Sequence, residues 1–315
     1  MSCSANIELY KFNFKLKALE DMRLPLFKGS MFRGAFGWAF KRAVCLTKLD
    51  DCNGCILKNN CSYFNVFETE IPENNIPFLR GVKKVPHPYI INSYKESRSE
   101  YSKGDNLNVE LIIFGEYIKL FPFFVFTFQQ MGKRGIGKKR YKFSLMEIEN
   151  IISHNESEPL FNSNTNILNT NILPLKHSDK EINIPSKIQI EFVSPLRIQS
   201  DGTILNRSQQ VTEELLLNLF LRRYNSVTHL FFHSDIIVDS QQFTNSSFQI
   251  SNNELVFNSF KRYSNRQKKK MDFGGFIGKI LLTVYNEDLL NIIYCVENFN
   301  LGKNTSFGMG KYVIK

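Results

Sequence analysis

The chain of 315 residues is 43% hydrophobic, enough for a substantial core and for two domains, and it carries 29 phenylalanines but a single tryptophan. Its net charge of +10 favours an acidic partner such as nucleic acid. Six cysteines in a chain this long argue against a secreted disulfide scaffold, and no apolar run reaches the ~18–20 residues that a membrane helix needs. Glu8, Lys11, Lys15 and Lys17 interrupt the first apolar stretch, so no secretory signal is expected and a soluble, cytoplasmic protein is.

Tyr10, Phe12, Phe14 and Leu16 alternate with Lys11, Asn13, Lys15 and Lys17, which predicts a half-buried strand. After Leu24-Pro25-Leu26, Ser30 is the expected helix N-cap. Phe32, Ala35, Phe36, Ala39, Phe40, Ala43 and Val44 then keep helical spacing over three turns. Arg33, Lys41 and Arg42 fall off that stripe and predict a cationic outer face.

Cys45, Cys52, Cys55 and Cys61 follow in a C-x6-C-x2-C-x5-C array. Four thiolates at such spacing suit a tetrahedral metal site, zinc first and an iron–sulfur cluster second, with plain packing thiols as the alternative. Cys3 and Cys295 read as isolated core thiols.

Residues 62–106 read as an irregular polar insertion, with His87 at the surface between two prolines. Residues 109–115 predict a strand, and Phe121, Phe124, Val125 and Phe128 one helix face. Residues 132–140 form a loop of three glycines and five cations, Lys133, Arg134, Lys138, Lys139 and Arg140, before a strand at Phe143 and Leu145. The Asn- and Ser-rich stretch 151–184 is the expected linker between domains 1–150 and 185–315.

In the second half, Ile188, Ile190 and Phe192 alternate as a strand. Leu215 to Phe220 predict a helix ending near Arg222-Arg223. A basic run from Lys261 to Lys270 contains Arg262, Tyr263, Arg266 and Lys268. Gly274 and Gly275 open a further strand, and a helix over 288–296 leads into Leu301-Gly302-Lys303-Asn304-Thr305-Ser306-Phe307-Gly308-Met309-Gly310-Lys311. Glycines, amides and cations make that loop a candidate phosphate cradle, the alternative being a tight helix-to-strand turn. The halves share the order strand, helix, glycine-rich basic loop, strand, which two α+β units of βαββαβ type would explain. The two basic loops and the 261–270 run would then line a cleft or face between the domains.

Four stretches resemble one family: the KGSMFRGAFGWAFKRAV helix within 26–44, the cysteine array running on to Tyr63 and Phe67-Glu68, the RYSNRQKKKMDFGGFIG run at 262–278, and LGKNTSFGMGKY at 301–312. They look like a CRISPR-associated RAMP-superfamily endoribonuclease that processes precursor CRISPR RNA. The resemblance implies two tandem ferredoxin-like domains, repeat RNA as partner, and metal-independent cleavage by the ribose 2′-hydroxyl to a 2′,3′-cyclic phosphate and a 5′-hydroxyl. It also admits a non-catalytic RNA-binding subunit of an effector complex. A third reading, a zinc-dependent DNA-binding regulator, leaves the paired glycine loops unexplained.

Relatives carry histidines about where Trp38 and Asn300 stand, so any catalytic set here must differ. His233 and then His229 are the candidates for acid–base work, with Lys41 assisting. Lys28, Arg33 and the cations of both loops, Lys303 and Lys311 included, are candidates for phosphate contact. Arg262, Tyr263, Arg266 and Lys268 are candidates for stacking on or contacting RNA.

Overall fold

The computed structural model describes residues 7–49, 51–68, 78, 85–176, 183–200, 202–243, 247–264 and 269–315. The chain divides into two compact units, Glu8–Ser178 and, with the start of the chain, Asp179–Lys315. Both have mixed α/β architecture. Among the described residues no helix is long and apolar enough to cross a membrane.

The first unit is built around β1 (Leu9–Ala18), whose alternation buries Phe12, Phe14 and Leu16 on one face. Its cations lean on acids across the ladder: Lys11 Nζ lies 3.2 Å from Glu110, and Lys15 Nζ 3.1 Å from Glu147. A short β2 (Met22–Arg23) precedes α1 (Gly29–Val44), and α2 (Ser62–Phe67) follows the cysteine array. Then come β3 (Tyr89–Asn92), β4 (Glu100–Tyr101) paired to β2, β5 (Asn106–Phe114), α3 (Phe121–Arg134), β6 (Phe143–Ile151), β7 (Ser157–Asn162) and β8 (Ile167–Leu168). The main sheet runs β3-β5-β1-β6-β7-β8. Within the expected linker 151–184, residues 157–162 and 167–168 are instead part of the fold, because β7 and β8 extend the same sheet.

The phenylalanines find their place in this core. Phe12 stacks on Phe121 at 4.2 Å, and Phe36 of α1 lies within 5.1–5.9 Å of Phe40, Phe67, Tyr89, Phe124 and Phe128. Each such side chain, fully buried, contributes about 1.5–3 kcal/mol of transfer free energy. Gly37 lets α2 approach, since a Cβ there would sit 3.0 Å from the Phe67 ring.

The second unit centres on β9 (Ser186–Leu196). A small hairpin, β10 (Gln199–Ser200) with β11 (Thr203–Ile204), precedes α4 (Glu213–Phe232), which the Thr212 hydroxyl caps by accepting from Leu215 N at 3.3 Å. Then follow β12 (Phe248–Asn253), β13 (Val256–Asn258), the antiparallel pair β14 (Lys261–Ser264) and β15 (Lys269–Asp272), β16 (Gly275–Val284), α5 (Glu287–Val296) and β17 (Tyr312–Ile314). The sheet runs β12-β16-β9-β17, with β13 also on β16.

Each unit thus has the succession β-α-β-β-α-β in its main elements, and both sheets place those four strands in the order second, third, first, fourth. Helix α4 does not end at Arg222-Arg223. It continues through Phe232 because its polar residues have buried partners: Asn225 Nδ2 donates to Val238 O at 2.8 Å, and Thr228 Oγ1 to Tyr224 O at 2.9 Å.

Candidate nucleic-acid interface

Helix α1 begins one residue after Lys28, which takes the N-cap position expected of Ser30. Lys28 is fully buried, and its ammonium donates to the carbonyls of Leu26 (3.3 Å), Glu96 (2.8 Å) and Arg98 (2.6 Å). Burial pulls its pKa down to about 8 from 10.5, Glu96 opposing and Arg98 adding to the shift. Lys28 therefore anchors the helix start and does not present a cation to RNA. Arg33 is half-buried, with its guanidinium 5.2 Å over the Phe67 ring and Nη2 2.8 Å from His87 Nε2. A guanidinium only donates, so Nε2 accepts and the proton of His87 is on Nδ1. His87 also stacks on Tyr89 at 5.7 Å, so it is a packed residue and not a free surface histidine. Lys41 Nζ lies 5.3 Å over the Tyr63 ring.

The opposite edge of α1 meets the end of α3. Trp38 is 40% exposed. The Arg42 guanidinium carbon lies 4.7 Å, and that of Arg134 3.3 Å, from its ring centroid. Desolvation first, then the charges of Arg140 and Arg42, push the Arg134 guanidinium below its ordinary range.

Beyond α3 the chain reverses in a tight turn, with Ile136 and Tyr141 exchanging backbone bonds at 2.8 and 2.9 Å. Gly135 has φ +85°, and a Cβ there would collide with Arg140 O. The first glycine of the expected loop, Gly132, is instead buried inside α3 against the Phe143 carbonyl. The turn pushes charge outward. Lys133, Arg134, Lys138, Lys139 and Arg140 are all exposed, and among the described residues no ion pair engages any of them.

The loop of the second unit behaves differently. Gly310 has φ +72° and packs so closely that a Cβ would strike Leu301 O. Leu301 N donates to Gly310 O at 2.8 Å, and Gly310 N to Pro195 O at 2.9 Å. Lys311 is buried; its Nζ donates to Glu297 O at 2.7 Å, and its backbone N–H to Ser194 Oγ at 2.7 Å. Lys303 is exposed but its ammonium bonds Gln199. Asn300, also left-handed and buried, donates from Nδ2 to Met309 O at 3.1 Å. Arg223, buried in α4, donates from Nε to the carbonyls of Phe299 and Asn300, both at 3.0 Å, and burial lowers its pKa to about 9. These contacts hold the loop as a closed turn and give Lys311 a structural job in place of phosphate contact.

His229 lies in the last turn of α4, its Nδ1 3.0 Å from Ser234 O. A carbonyl can only accept, so the ring proton sits on Nδ1 and the basic nitrogen is Nε2. His233 ends the helix in the left-handed conformation, φ 53°, with its side chain exposed. Arg262 and Tyr263 lie on β14, whose pairing with β15 sets Tyr263 opposite Lys270. Arg266, Lys268, His177 and Cys3 lie outside the described residues.

The four array cysteines are half-buried and free. Cys45 and Cys55 each approach Thr47 Oγ1, at 3.8 and 3.7 Å, and Gly54 turns the CxxC segment at φ +72°. Burial foremost raises the Cys52 thiol; Lys41 counteracts, and Glu68, Cys61 and Cys45 add to the rise. Among the described residues no three His, Cys, Asp or Glu side chains converge as a metal-ligand set. Cys295 is buried and disulfide-bonded, which corrects its reading as an isolated thiol.

Residues 7–172 match the AF_1859_N family model, an N-terminal domain, and residues 190–312 match the family model of the CRISPR-associated endoribonuclease Cas6. The second half of the chain, residues 190–312, is a Cas6-family region of the CRISPR-associated type, joined to an AF_1859_N domain at residues 7–172. An uncharacterized protein of Archaeoglobus fulgidus is 23% identical over 299 residues, covering 93% of either chain. Among solved structures, a Cas6 product complex has TM-score 0.57 at 14% identity, over 98% of this chain and 100% of that one. Thermus thermophilus Cas6 has TM-score 0.51 at 11% identity, over 98% and 99%. A partial Cas6-RT-Cas1–Cas2 complex has TM-score 0.56 at 15% identity over 98% of this chain, which spans only 46% of that one. At these identities the structural matches establish a Cas6-like fold, and the family description adds that its members are endoribonucleases.

The signal for Trp38 and Arg42 was present in the sequence, since a spacing of four places them on one helix face. Arg134 was legible only as a member of a basic run.

Proposed function

We propose that this chain is a precursor-CRISPR-RNA processing endoribonuclease built from two tandem ferredoxin-like units. The observation that carries the reading is the match of residues 190–312 to a family described as an endoribonuclease. The repeated strand order supports the ferredoxin-like assignment. The five exposed cations at 133–140 supply a surface for repeat RNA.

In the proposed reaction the ribose 2′-oxygen attacks the adjacent phosphorus and the bond from phosphorus to the 5′-oxygen breaks. A 2′,3′-cyclic phosphate and a 5′-hydroxyl result, with no metal required. His229, with Nε2 as its basic nitrogen, is assigned removal of the 2′ proton, and His233, about one turn away, protonation of the leaving oxygen. The binding nitrogen of His87 is already taken by Arg33, so it is left out of this set. Partners in a CRISPR effector complex, or of the Cas1–Cas2 kind named in the Cas6-RT-Cas1–Cas2 complex, belong to the same proposal.

A second reading, an RNA-binding homologue without activity, is favoured by one observation. Trp38 and Asn300 stand where the resemblance puts histidines, and Asn300 is committed to the Met309 carbonyl. Incubating the protein with its repeat RNA in EDTA, beside RNA bearing a 2′-deoxy residue at the scissile position, separates the two. Cleavage of the first substrate alone, lost in His229→Ala, supports the enzyme; tight binding with no cleavage establishes the second reading.

For the cysteine array we infer one structural zinc, resting on spacing and on the turned CxxC segment. Elemental analysis of protein purified without added metal is expected to find about one zinc per chain; finding no metal assigns the thiols to packing.

A further inference from the structure

Trp38 is the sole tryptophan, and it is exposed on a helix whose other aromatic residues face the core. Two guanidinium groups share its ring, one from the next turn of α1 and one from the end of α3. At 3.3 Å the Arg134 guanidinium carbon must meet the ring face to face, because an edge-on approach would drive its N–H groups into the indole. A stacked guanidinium spends its face on the ring and keeps its N–H edge for an acceptor. Arg140 adds a third like charge close enough to perturb Arg134.

Among the described residues none of Arg42, Arg134 and Arg140 is in an ion pair. Among the described residues, the acids of this unit that do pair are taken by Lys11, Lys15, Arg23, Arg98, Lys119 and Lys176. Crowding two cations onto one aromatic ring, with Arg140 close to one of them, costs repulsion that a bound polyanion would relieve. Fixing two forked donors on one ring also lowers the entropy lost when they grip an acceptor.

We propose that Trp38 is a platform that holds Arg42 and Arg134 as a clamp on consecutive phosphodiesters of single-stranded RNA, with Arg140 as an auxiliary contact. The ligand is the sugar-phosphate backbone, recognised through bidentate donation to phosphate oxygens, so the clamp sets register without reading bases. The inference deepens the RNA-processing reading and rests on it. The position that the resemblance would give to a histidine serves here to grip the substrate.

Because the chain has one tryptophan, its emission reports this site alone. Titrating the intact protein with fluorescein-labelled oligouridylate gives two readouts, label anisotropy for total binding and tryptophan emission for the clamp. The two are expected to saturate together, and emission is expected to stay unchanged with inorganic phosphate at equal phosphate concentration. Arg42→Gln with Arg134→Gln, both at exposed positions, is expected to weaken binding at least about tenfold. It should also lower the slope of log affinity against log salt by about 1.4, two contacts' worth. Trp38→Leu should weaken binding with the slope nearly kept, since the charges remain while their platform is gone.

Anisotropy rising with unchanged emission and an unchanged variant slope overturns the clamp and leaves RNA binding elsewhere intact. Absence of binding to both oligouridylate and the repeat RNA overturns the RNA reading itself. An emission change induced by inorganic phosphate alone overturns the polymer specificity.

Discussion

The turn at 135–141 and the loop at 301–311 look alike as sequence, each rich in glycine and lysine between a helix and a strand, yet they use their cations in opposite ways. In the first, glycine at Gly135 closes the turn and the five charges flanking and filling it face solvent. In the second, Lys311 is drawn inward to the Glu297 carbonyl and Lys303 bonds Gln199, while Arg223 fastens the entrance from beneath. Composition alone does not say which way a lysine points. The nearest unpaired carbonyl decides, because a buried carbonyl without a donor costs more than a lysine stem gains in water.

That contrast can be broken at several points. Gly310→Ala is expected to cost the most, roughly 3 kcal/mol, from left-handed strain plus collision with the Leu301 carbonyl. Gly137→Ala in the first turn should cost only about 1 kcal/mol, as its Cβ would meet nothing closer than Met31 Sδ at 3.4 Å. Comparable losses in denaturant melts would erase the distinction. Lys311→Met should destabilise by about 2 kcal/mol, since it leaves the Glu297 carbonyl without this donor. A neutral result there would return Lys311 to the surface cations.

Lys28 provides a pH-dependent version of the same test. Between about 8 and 10.5 its folded form binds fewer protons than its unfolded form, so its contribution to stability grows as pH rises through that window. The melting temperature of wild type relative to Lys28→Met should climb from pH 8 towards 10.5; a flat difference would show that Lys28 is solvated. Smallest of all should be the effect of Lys138→Gln, Lys139→Gln and Arg140→Gln together on stability, within about 0.5 kcal/mol.

Much of the fold was legible where apolar spacing is clean. The alternation of β1 and the phenylalanine stripe of α1 place those elements directly. Strand β3, Tyr89 to Asn92, was hidden because all four residues are buried and no alternation marks them. Strand β12, Phe248 to Asn253, was hidden because it is mostly polar. The last turns of α4 escaped because Asn225 and Thr228 look like breakers until Val238 and Tyr224 are seen to satisfy them. At the site, exposed charge was readable as a run at 133–140. The inward turn of Lys28 and Lys311 was not, as it depends on carbonyls up to 70 residues away in the chain.

The central claim is that RNA meets the cations of the first turn and not those of the second loop. Salt dependence of repeat-RNA binding, measured side by side for two variants, tests it most directly. Lys138→Gln with Lys139→Gln and Arg140→Gln should lower the slope of log affinity against log salt by about 2, while Lys303→Gln with Lys311→Met should lower it by no more than about 0.7. The reverse ranking, with the slope carried by Lys303 and Lys311, would contradict the account.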